Sequence, residues 1–210
     1  MASDEPQCVI AVFARALVPG ATKTRLIPAL GAEGASKLHR ELVEHTLTTA
    51  IAAGIGAVEL WCAPDTRHPF FAECARRFKV ALHTQRDGNI GARMLHAMTA
   101  VRERGKLPVL IGTDCPALTV ADLRTSAKAL RDGCDAVLLP VADGGYTLIA
   151  LRTPCAEIFS AIDWSTDRVM SQTRDRMRRL NWNWLELEER WDLDRPEDLP
   201  RWHAFRTTTT

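Results

Sequence analysis

The chain has 210 residues, of which 46% are hydrophobic and 25% charged, the composition of an ordinary globular protein. Its 27 basic and 26 acidic residues leave a net charge of +1, which argues against nucleic acid as a partner. No apolar stretch approaches the roughly 20 residues that span a bilayer. No cationic start is followed by an apolar run, so we expect neither a membrane span nor a secretory signal.

The six cysteines form no C-x-x-C pair, and the six histidines are scattered, so neither set matches a zinc motif. Cysteines inside apolar runs pack as small hydrophobic residues. We therefore expect reduced thiols and a cytoplasmic protein.

Apolar runs and apolar residues at helical spacing alternate along the chain. The short runs predict strands at 8–13, 57–62, 80–84, 107–111, 135–140, 146–151 and 184–187. The helical spacing predicts helices at 33–53, 69–77, 90–104, 119–131, 166–180 and 196–205. This alternation predicts an α/β protein with a largely parallel sheet and a single domain over residues 1–206. We expect residues 207–210 to be a frayed tail.

Ligands of such sheets bind beyond the carboxyl ends of the strands. Arg15, Gly20, Lys23 and Arg25 follow the first strand, where a tight turn and three cations suit a diphosphate; a solvated basic loop is the alternative. The segment is not a P-loop, because Thr22 stands where the second glycine is required.

Asp114 stands just beyond the buried strand 107–111, and Pro116 then forces a turn. A carboxylate in that position suits a divalent metal such as Mg²⁺ or Mn²⁺ held together with substrate phosphates. A structural role as the cap of the following turn is the alternative. Asp192 and Asp194 alternate along the chain, so in an extended segment they point the same way and could complete the metal site.

The acidic stretch has a structural interpretation as well. Asp194 could instead cap the helix that begins at Pro196, and we expect Glu197 and Asp198 to be structural.

Three further loops carry candidate binding residues. Gln85, with the glycines 88 and 91, precedes a helix and is predicted to contact a base or sugar: Gln85, Gly88 and Gly91. The turn around Asp143 could present that carboxylate to an acceptor, although a plain hairpin also explains its glycines: Asp143, Gly144, Gly145 and Tyr146. The third loop could stack an indole on a ligand, and its threonine could equally cap a helix: Trp164, Ser165 and Thr166.

Five ordered blocks resemble the DUF2064 family of GT-A-like glycosyltransferases, which is similar to molybdenum-cofactor and 2-phospholactate nucleotidyltransferases. The blocks are A-R-A-L-V-P-G-A-T-K-T-R-L, G-T-D-C-P-A-L, D-G-G-Y-T-L-I-A-L, D-W-S-T and D-L-D-R-P-E-D-L. The resemblance implies a three-layer α/β/α, mostly parallel mixed sheet of the nucleotide-diphospho-sugar transferase type. It also implies that Gly20, Lys23 and Arg25 hold the donor phosphates, that Asp114 binds the metal, and that Asp194 is the second carboxylate.

The leading hypothesis is therefore a Mg²⁺- or Mn²⁺-dependent glycosyltransferase that uses a nucleotide-sugar and a small-molecule acceptor, with Lys23, Asp114 and Asp143 as catalytic residues. A nucleotidyltransferase that uses an NTP is the first alternative, and a non-catalytic nucleotide-binding protein is the second. A homodimer is compatible with the sequence, which says little about oligomeric state.

Overall fold

The computed structural model of the protein describes residues 7–208. Its strands are β1 (Cys8–Arg15), β2 (Gly56–Ala63), β3 (Ala81–Thr84), β4 (Leu107–Ile111), β5 (Ala136–Pro140), β6 (Tyr146–Leu151) and β7 (Trp184–Glu186). Its α-helices are α1 (Ile27–Ala53), α2 (Pro69–Phe78), α3 (Ile90–Glu103), α4 (Val120–Arg131), α5 (Val169–Arg179) and α6 (Leu199–Thr208). The predicted strands and helices are all present, with shifts at their ends.

All seven strands form one sheet in the order β3-β2-β1-β4-β6-β5-β7. β6 runs antiparallel to β4 and β5, whereas the other pairs are parallel. The central strands read as continuous apolar runs because helices cover both faces of the sheet. Residues of α1, α2 and α4 pack on one face, and residues of α3 and α5 pack on the other. The predicted three-layer mixed α/β fold is thus confirmed.

Helix ends differ from the prediction at two places that border the candidate site. α1 begins at Ile27 rather than at 33, because Gly31 takes φ 71° and lets two helical segments join across a bend. α5 begins at Val169 rather than at 166, because Thr166 Oγ1 accepts the Arg168 N–H in a separate turn. Thr166 is therefore not the cap of this helix.

The C-terminal helix is also divided. A 3₁₀ turn over Pro196–Asp198 precedes α6, which continues through Thr207 to Thr208. Residues 209–210 of the predicted frayed tail lie outside the described residues. Within 7–208, no helix is both long and apolar enough to cross a membrane. The six cysteines are all unpaired.

Candidate active site

The sheet brings the ends of β1 and β4 side by side, because these strands pair in parallel from Cys8 opposite Leu107 to Val12 opposite Ile111. Arg15 ends β1, and Asp114 lies three residues beyond β4. The backbone N–H of Leu193 donates to the carbonyl oxygen of Asp114 at 2.7 Å, which fixes the extended segment 192–194 beside the strand ends. Residues far apart in the chain therefore meet at one edge of the sheet, as the strand-end rule predicts.

Lys23 connects these segments. Its ammonium nitrogen lies 2.7 Å from Asp114 Oδ1 and 4.0 Å from Asp194 Oδ1, and it donates to the carbonyl oxygen of Leu193. Only 4% of the Lys23 side chain is exposed. The Lys23 backbone takes the left-handed conformation at φ 51°, which is unfavourable for a non-glycine residue and typical of functional sites.

The same contacts set the charge of Asp114. Desolvation raises the pKa of Asp114, but the charge and hydrogen bond of Lys23 outweigh it and leave the pKa below its usual value. Asp114 is therefore an ionised carboxylate at neutral pH, and more than half of its side chain stays exposed to the cleft.

Asp194 faces the cleft instead of capping the following helix. Arg25 donates to Asp194 Oδ2. The capping oxygen belongs to Asp198, which accepts the backbone N–H groups of Asp194 at 3.0 Å and Arg195 at 2.8 Å. The alternative that Asp194 is a helix cap is thus wrong, and the structural role predicted for Asp198 is confirmed.

A cavity of about 540 Å³, here called the cationic cavity, opens over the ends of β1 and β4. Four cations line it: Arg15, Lys23, Arg25 and Arg93. Burial and the positive charge of Arg15 lower the pKa of Arg93, so the two guanidinium groups repel each other. An anion bound between them would relieve this repulsion. The cavity is consequently suited to phosphate oxygens.

His39 also lines the cationic cavity, and its side chain is almost fully buried. Its Nε2 lies 3.2 Å from the carbonyl oxygen of Arg15, so Nε2 carries the hydrogen and donates to it. Burial lowers the pKa of His39 despite the opposing charge of Asp114. A neutral imidazole thus supports the end of β1 beneath Arg15.

A second cavity of about 300 Å³, the loop cavity, adjoins the first and shares Arg15 and Arg93 with it. Ala16, Val18 and Pro64 supply apolar walls, and the polar rim includes Gln85, Arg86, Asp87 and Gly88. The Gln85 amide is engaged inside the protein. Its Nε2 donates to the carbonyl oxygen of Trp61 at 2.7 Å, and its Oε1 accepts from Arg93.

A third cavity of about 830 Å³, the acidic cavity, joins the cationic cavity along Asp114 and Asp194. Six aspartates and two arginines line it: Asp114, Asp143, Asp167, Asp192, Asp194, Asp198, Arg25 and Arg195. Burial, together with the charges of Asp143 and Asp194, raises the pKa of Asp192 to about 6. Carboxylates are therefore concentrated here beyond what the local cations neutralise.

Asp143 occupies the turn between β5 and β6. Its Oδ1 accepts the backbone N–H of Gly145 at 2.8 Å, which orders the turn and directs the carboxyl group at the acidic cavity. Gly144 has φ 86°, and a Cβ there would lie 2.3 Å from the carbonyl oxygen of Asp167. Only glycine allows the turn to approach the 163–168 segment so closely.

The acidic cavity is also lined by four residues of the predicted acceptor site: Tyr146, Trp164, Ser165 and Thr166. The Trp164 indole also packs on Gly91, where an added Cβ would lie 2.6 Å from Trp164 Cζ2. Gly91 thus makes room for the indole, and it lines none of the three cavities. Gly20 likewise shapes an exposed turn at φ 85°, while Ala21 and Thr22 line the cavities.

The residues of the predicted metal site are Asp114, Asp192 and Asp194. Among the described residues, no group of three His, Cys, Asp or Glu side chains is placed to hold a metal ion. Asp114 and Asp194 nevertheless both approach one ammonium, and the Leu193 carbonyl oxygen contacts the same nitrogen. The site thus offers two carboxylates and one carbonyl to a single cation, an all-oxygen set that suits Mg²⁺ or Mn²⁺.

Sequence reasoning missed three groups in this cleft. Arg93 follows a strand-to-helix loop, so its position after β3 was a signal. His39 lies on the buried face of α1, where helical spacing alone indicates only packing. The Leu193 carbonyl carries no sequence signal, because every residue has one.

Comparisons with known proteins identify the family and the fold. A family model described as "Uncharacterized protein conserved in bacteria (DUF2064)" matches residues 46–166. A search of curated proteins found no match. Among solved structures, the "putative nucleotide-diphospho-sugar transferase" of Desulfovibrio desulfuricans G20 is similar at 28% identity with a TM-score of 0.81, covering 90% of this chain and 82% of that one.

Two more distant structures share the fold. The CMP:2-keto-3-deoxy-manno-octonic acid synthetase complexed with CTP aligns at 15% identity, with a TM-score of 0.63 and coverage of 97% of this chain and 100% of that one. Rv0371c of Mycobacterium tuberculosis H37Rv, in complex with manganese, aligns at 17% identity, with a TM-score of 0.55 and coverage of 92% and 97%. The chain therefore has the fold of nucleotide-diphospho-sugar transferases and nucleotidyltransferases, and, since the family model spans more than half of it, the protein belongs to the DUF2064 family.

Proposed function

We propose that the protein is a GT-A-type glycosyltransferase, which transfers a sugar from a nucleotide-sugar to a small-molecule acceptor. The observation that carries this proposal is the division of one cleft into a cationic and an acidic cavity that meet at Asp114 and Asp194. A diphosphate needs the cations, and an acceptor hydroxyl needs a base. The sugar would pass from the diphosphate to the acceptor hydroxyl at the border of the two cavities.

The donor would extend from the loop cavity into the cationic cavity. Arg15 and Arg93 line both, so a nucleoside in the loop cavity places its phosphates beside these guanidinium groups. Arginine donates paired hydrogen bonds to phosphate oxygens. Positive charge fixed at this point also stabilises a leaving nucleoside diphosphate, since negative charge grows on it during transfer.

Asp114 and Asp194 would hold a divalent cation, with Asp192 as a further carboxylate on the same side. Mg²⁺ or Mn²⁺ bound there would offset the charge on the diphosphate. The manganese in the Rv0371c complex supports a divalent cation in this fold without choosing between the two metals.

The acceptor would enter the acidic cavity. Asp143 Oδ1 is engaged by Gly145, and its Oδ2 has no hydrogen-bond partner among residues 7–208. This second oxygen could accept the proton of an acceptor hydroxyl as the hydroxyl attacks the sugar. Trp164 and Tyr146 give the cavity aromatic walls, and Ser165 and Thr166 add hydroxyl groups.

Nucleotidyl transfer is the second candidate, because four cations in the cationic cavity could neutralise a triphosphate. The two activities release different products from different donors. A glycosyltransferase transfers the sugar of a nucleotide-sugar to the acceptor and releases a nucleoside diphosphate. A nucleotidyltransferase transfers the nucleoside monophosphate of an NTP to the acceptor and releases pyrophosphate. The fold is common to both, since the structural neighbours include a nucleotide-sugar transferase and a CTP-bound synthetase.

The test begins with a thermal-shift screen of nucleotide-sugars and NTPs with and without Mn²⁺, because a ligand that binds only the folded state raises Tm. Ligands that bind are then incubated with candidate acceptors, and phosphorus NMR identifies the product. Nucleoside diphosphate supports glycosyl transfer, and pyrophosphate supports the second candidate. Nucleotide binding without turnover or metal dependence would instead indicate a non-catalytic binding protein.

We infer that residues 1–206 act as a single domain and that the protein works in the cytoplasm, where its six unpaired cysteines stay reduced. The proposed partners are a nucleotide donor and a small acceptor. A homodimer is compatible with the proposal, which places the whole site in one chain.

A further inference from the structure

The ammonium of Lys23 is surrounded by protein oxygens. It lies 2.7 Å from Asp114 Oδ1, donates to the Leu193 carbonyl oxygen and lies 4.0 Å from Asp194 Oδ1. Its side chain is 4% exposed, whereas that of Arg25, two residues along the same loop, is 60% exposed. The loop thus directs one cation into the protein and the other toward the cleft.

A lysine that neutralises a donor phosphate must direct its ammonium at the phosphate. In this structure the ammonium of Lys23 is directed at the oxygens of Asp114 and Leu193 instead. Lys23 lines the cationic cavity but is not free to serve a phosphate there until these contacts break. The contacts of Lys23 with Asp114 and Leu193 therefore compete with any contact between its ammonium and a phosphate.

The oxygens around Lys23 are the same ones that suit a divalent cation. Mg²⁺ and Mn²⁺ take oxygen ligands at close to 2 Å, so a metal on Asp114 Oδ1 would stand where the ammonium now is. The ammonium and the metal would then compete for one position beside Asp114, and two positive charges so close together repel strongly in a partly buried site. Lys23 and a metal ion consequently exclude each other.

We propose that Lys23 and a divalent cation occupy the oxygen site of Asp114, Leu193 and Asp194 in turn, so that metal binding releases Lys23 to the donor phosphates. The inference rests on the proposed function for the identity of the phosphate ligand. In the donor-free protein, Lys23 neutralises Asp114 and keeps the carboxylates together. After the exchange, its ammonium reaches into the cationic cavity.

The exchange makes metal and donor binding cooperative. The metal bears the full cost of displacing Lys23, and a phosphate then gains an ammonium that it could not otherwise contact. By linkage, a bound phosphate must strengthen metal binding by the same factor as metal strengthens phosphate binding. Arg25 cannot perform this role, because its hydrogen bond within residues 7–208 goes to Asp194 Oδ2 and its side chain remains largely exposed.

The test measures Mn²⁺ binding to the full chain without nucleotide, by electron paramagnetic resonance of free Mn²⁺. Lys23→Met should bind Mn²⁺ about tenfold more tightly than the parent, within the usual range of coupling between sites. Lys128→Met is the matched control, since Lys128 also pairs with an aspartate, Asp132, but lies on α4 outside the cleft. It removes the same charge and should leave Mn²⁺ affinity unchanged.

A second measurement follows the Lys23 ammonium in the parent protein itself. In the ¹⁵N-labelled parent, the ammonium signal of Lys23, assigned by its loss in Lys23→Met, should shift or disappear when Mg²⁺ saturates the protein. If Lys23→Met fails to fold, the signal is assigned with Lys23→Gln or by selective labelling, and this titration decides the matter.

Equal or weaker Mn²⁺ binding by folded Lys23→Met overturns the proposal, as does a Lys23 ammonium signal that Mg²⁺ leaves unchanged. Absence of Mn²⁺ binding in both proteins overturns it too, because removing the ammonium should open the site. Neither measurement uses a nucleotide. A failure of every nucleotide to bind would therefore refute the proposed function while leaving the exchange at Lys23 to be judged on its own result.

Discussion

The two ends of the cleft are built from different halves of the sheet. The cationic cavity takes its four cations from residues 15–93, around the parallel strands β1, β2 and β3. The acidic cavity takes its aspartates from residues 114–198, around the antiparallel strand β6 and the extended segment that follows β7. In the proposed function the cationic cavity is the donor end and the acidic cavity the acceptor end. Variants that line the first should then change donor binding, and variants that line the second should change acceptor binding.

Asp114 lies on the border of the two cavities, and its loss should have the largest effect. Asp114→Asn keeps the shape but removes the charge, so it should lower turnover by at least about 100-fold, as the loss of a central electrostatic group does. Nucleoside diphosphate release with saturating donor measures this. Asp132→Asn, at the residue that follows the C-terminal end of α4, removes one carboxylate elsewhere and should retain parental activity. Turnover by Asp114→Asn equal to that of the parent would show that Asp114 is not an active-site residue.

Arg15 tests the donor end by itself. Arg15→Met should weaken donor binding by about 10- to 100-fold, the range for one charge-assisted hydrogen bond. It should change the melting temperature little, because the repulsion between Arg15 and Arg93 that it relieves opposes the attraction between Arg15 and Asp114 that it removes. Isothermal titration with the nucleotide found in the screen measures the first effect, and calorimetry the second. Arg67→Met, at a side chain 88% exposed and outside the three cavities, is the charge-matched control.

The cationic cavity and its lining by Arg15, Lys23 and Arg25 were largely predictable from sequence. A buried strand followed by Arg15, Lys23 and Arg25 places cations at a strand end, and the parallel topology does the rest. What the pattern could not show is the direction of each side chain. Lys23 and Arg25 look equivalent in sequence, yet Lys23 turns inward on a left-handed backbone and Arg25 stays exposed.

The acceptor end was predictable only as a set of motifs. The sequence left two interpretations of Asp194, as a helix cap or as a carboxylate of the cleft. The structure decides between them, because Asp198 accepts the backbone N–H groups of Asp194 and Arg195 at the start of the 3₁₀ turn. Gly91 had the appearance of a backbone-binding glycine, but it accommodates the Trp164 indole from 73 residues further along the chain. Such long-range contacts leave no periodic signal in a single sequence.

The ion pair between Asp122 and Arg190 anchors the chain just before the extended segment 192–194. Loss of this pair should therefore affect the acceptor end alone. Arg190 Nη2 lies 3.1 Å from Asp122 Oδ1, and Arg190 precedes Asp192 by two residues. Burial raises the pKa of Asp122, but the bonds from Arg190 and Thr119 lower it overall below its usual value of 3.8. The stabilisation is therefore fully present above pH 3.8 and is lost as the pH falls through the lower folded value.

Asp122→Asn should accordingly reduce the free energy of unfolding by about 1–3 kcal/mol at pH 7, the cost of a charged hydrogen-bond partner lost from a buried site. The difference from the parent should narrow below pH 4. Urea unfolding across pH 3–8 measures both effects. If the loss is as large at pH 3 as at pH 7, the charge of Asp122 is not what stabilises this contact. Donor affinity at pH 7 should match that of the parent.

Gly91→Ala should give the smallest effect, confined to the acceptor end. The new Cβ would lie 2.6 Å from Trp164 Cζ2, so the indole must move within the acidic cavity that it lines. We expect the KM for the acceptor to rise roughly threefold to tenfold, in keeping with a shift of about 1 kcal/mol, while the KM for the donor stays the same. In the double variant with Trp164→Phe, the smaller ring removes the clash, so the cost of Gly91→Ala should fall, which a double-mutant cycle measures directly. Additive effects would mean that Gly91 acts through the backbone of α3 and not through the indole, and the wall of the acidic cavity would then be independent of the helix that carries Arg93.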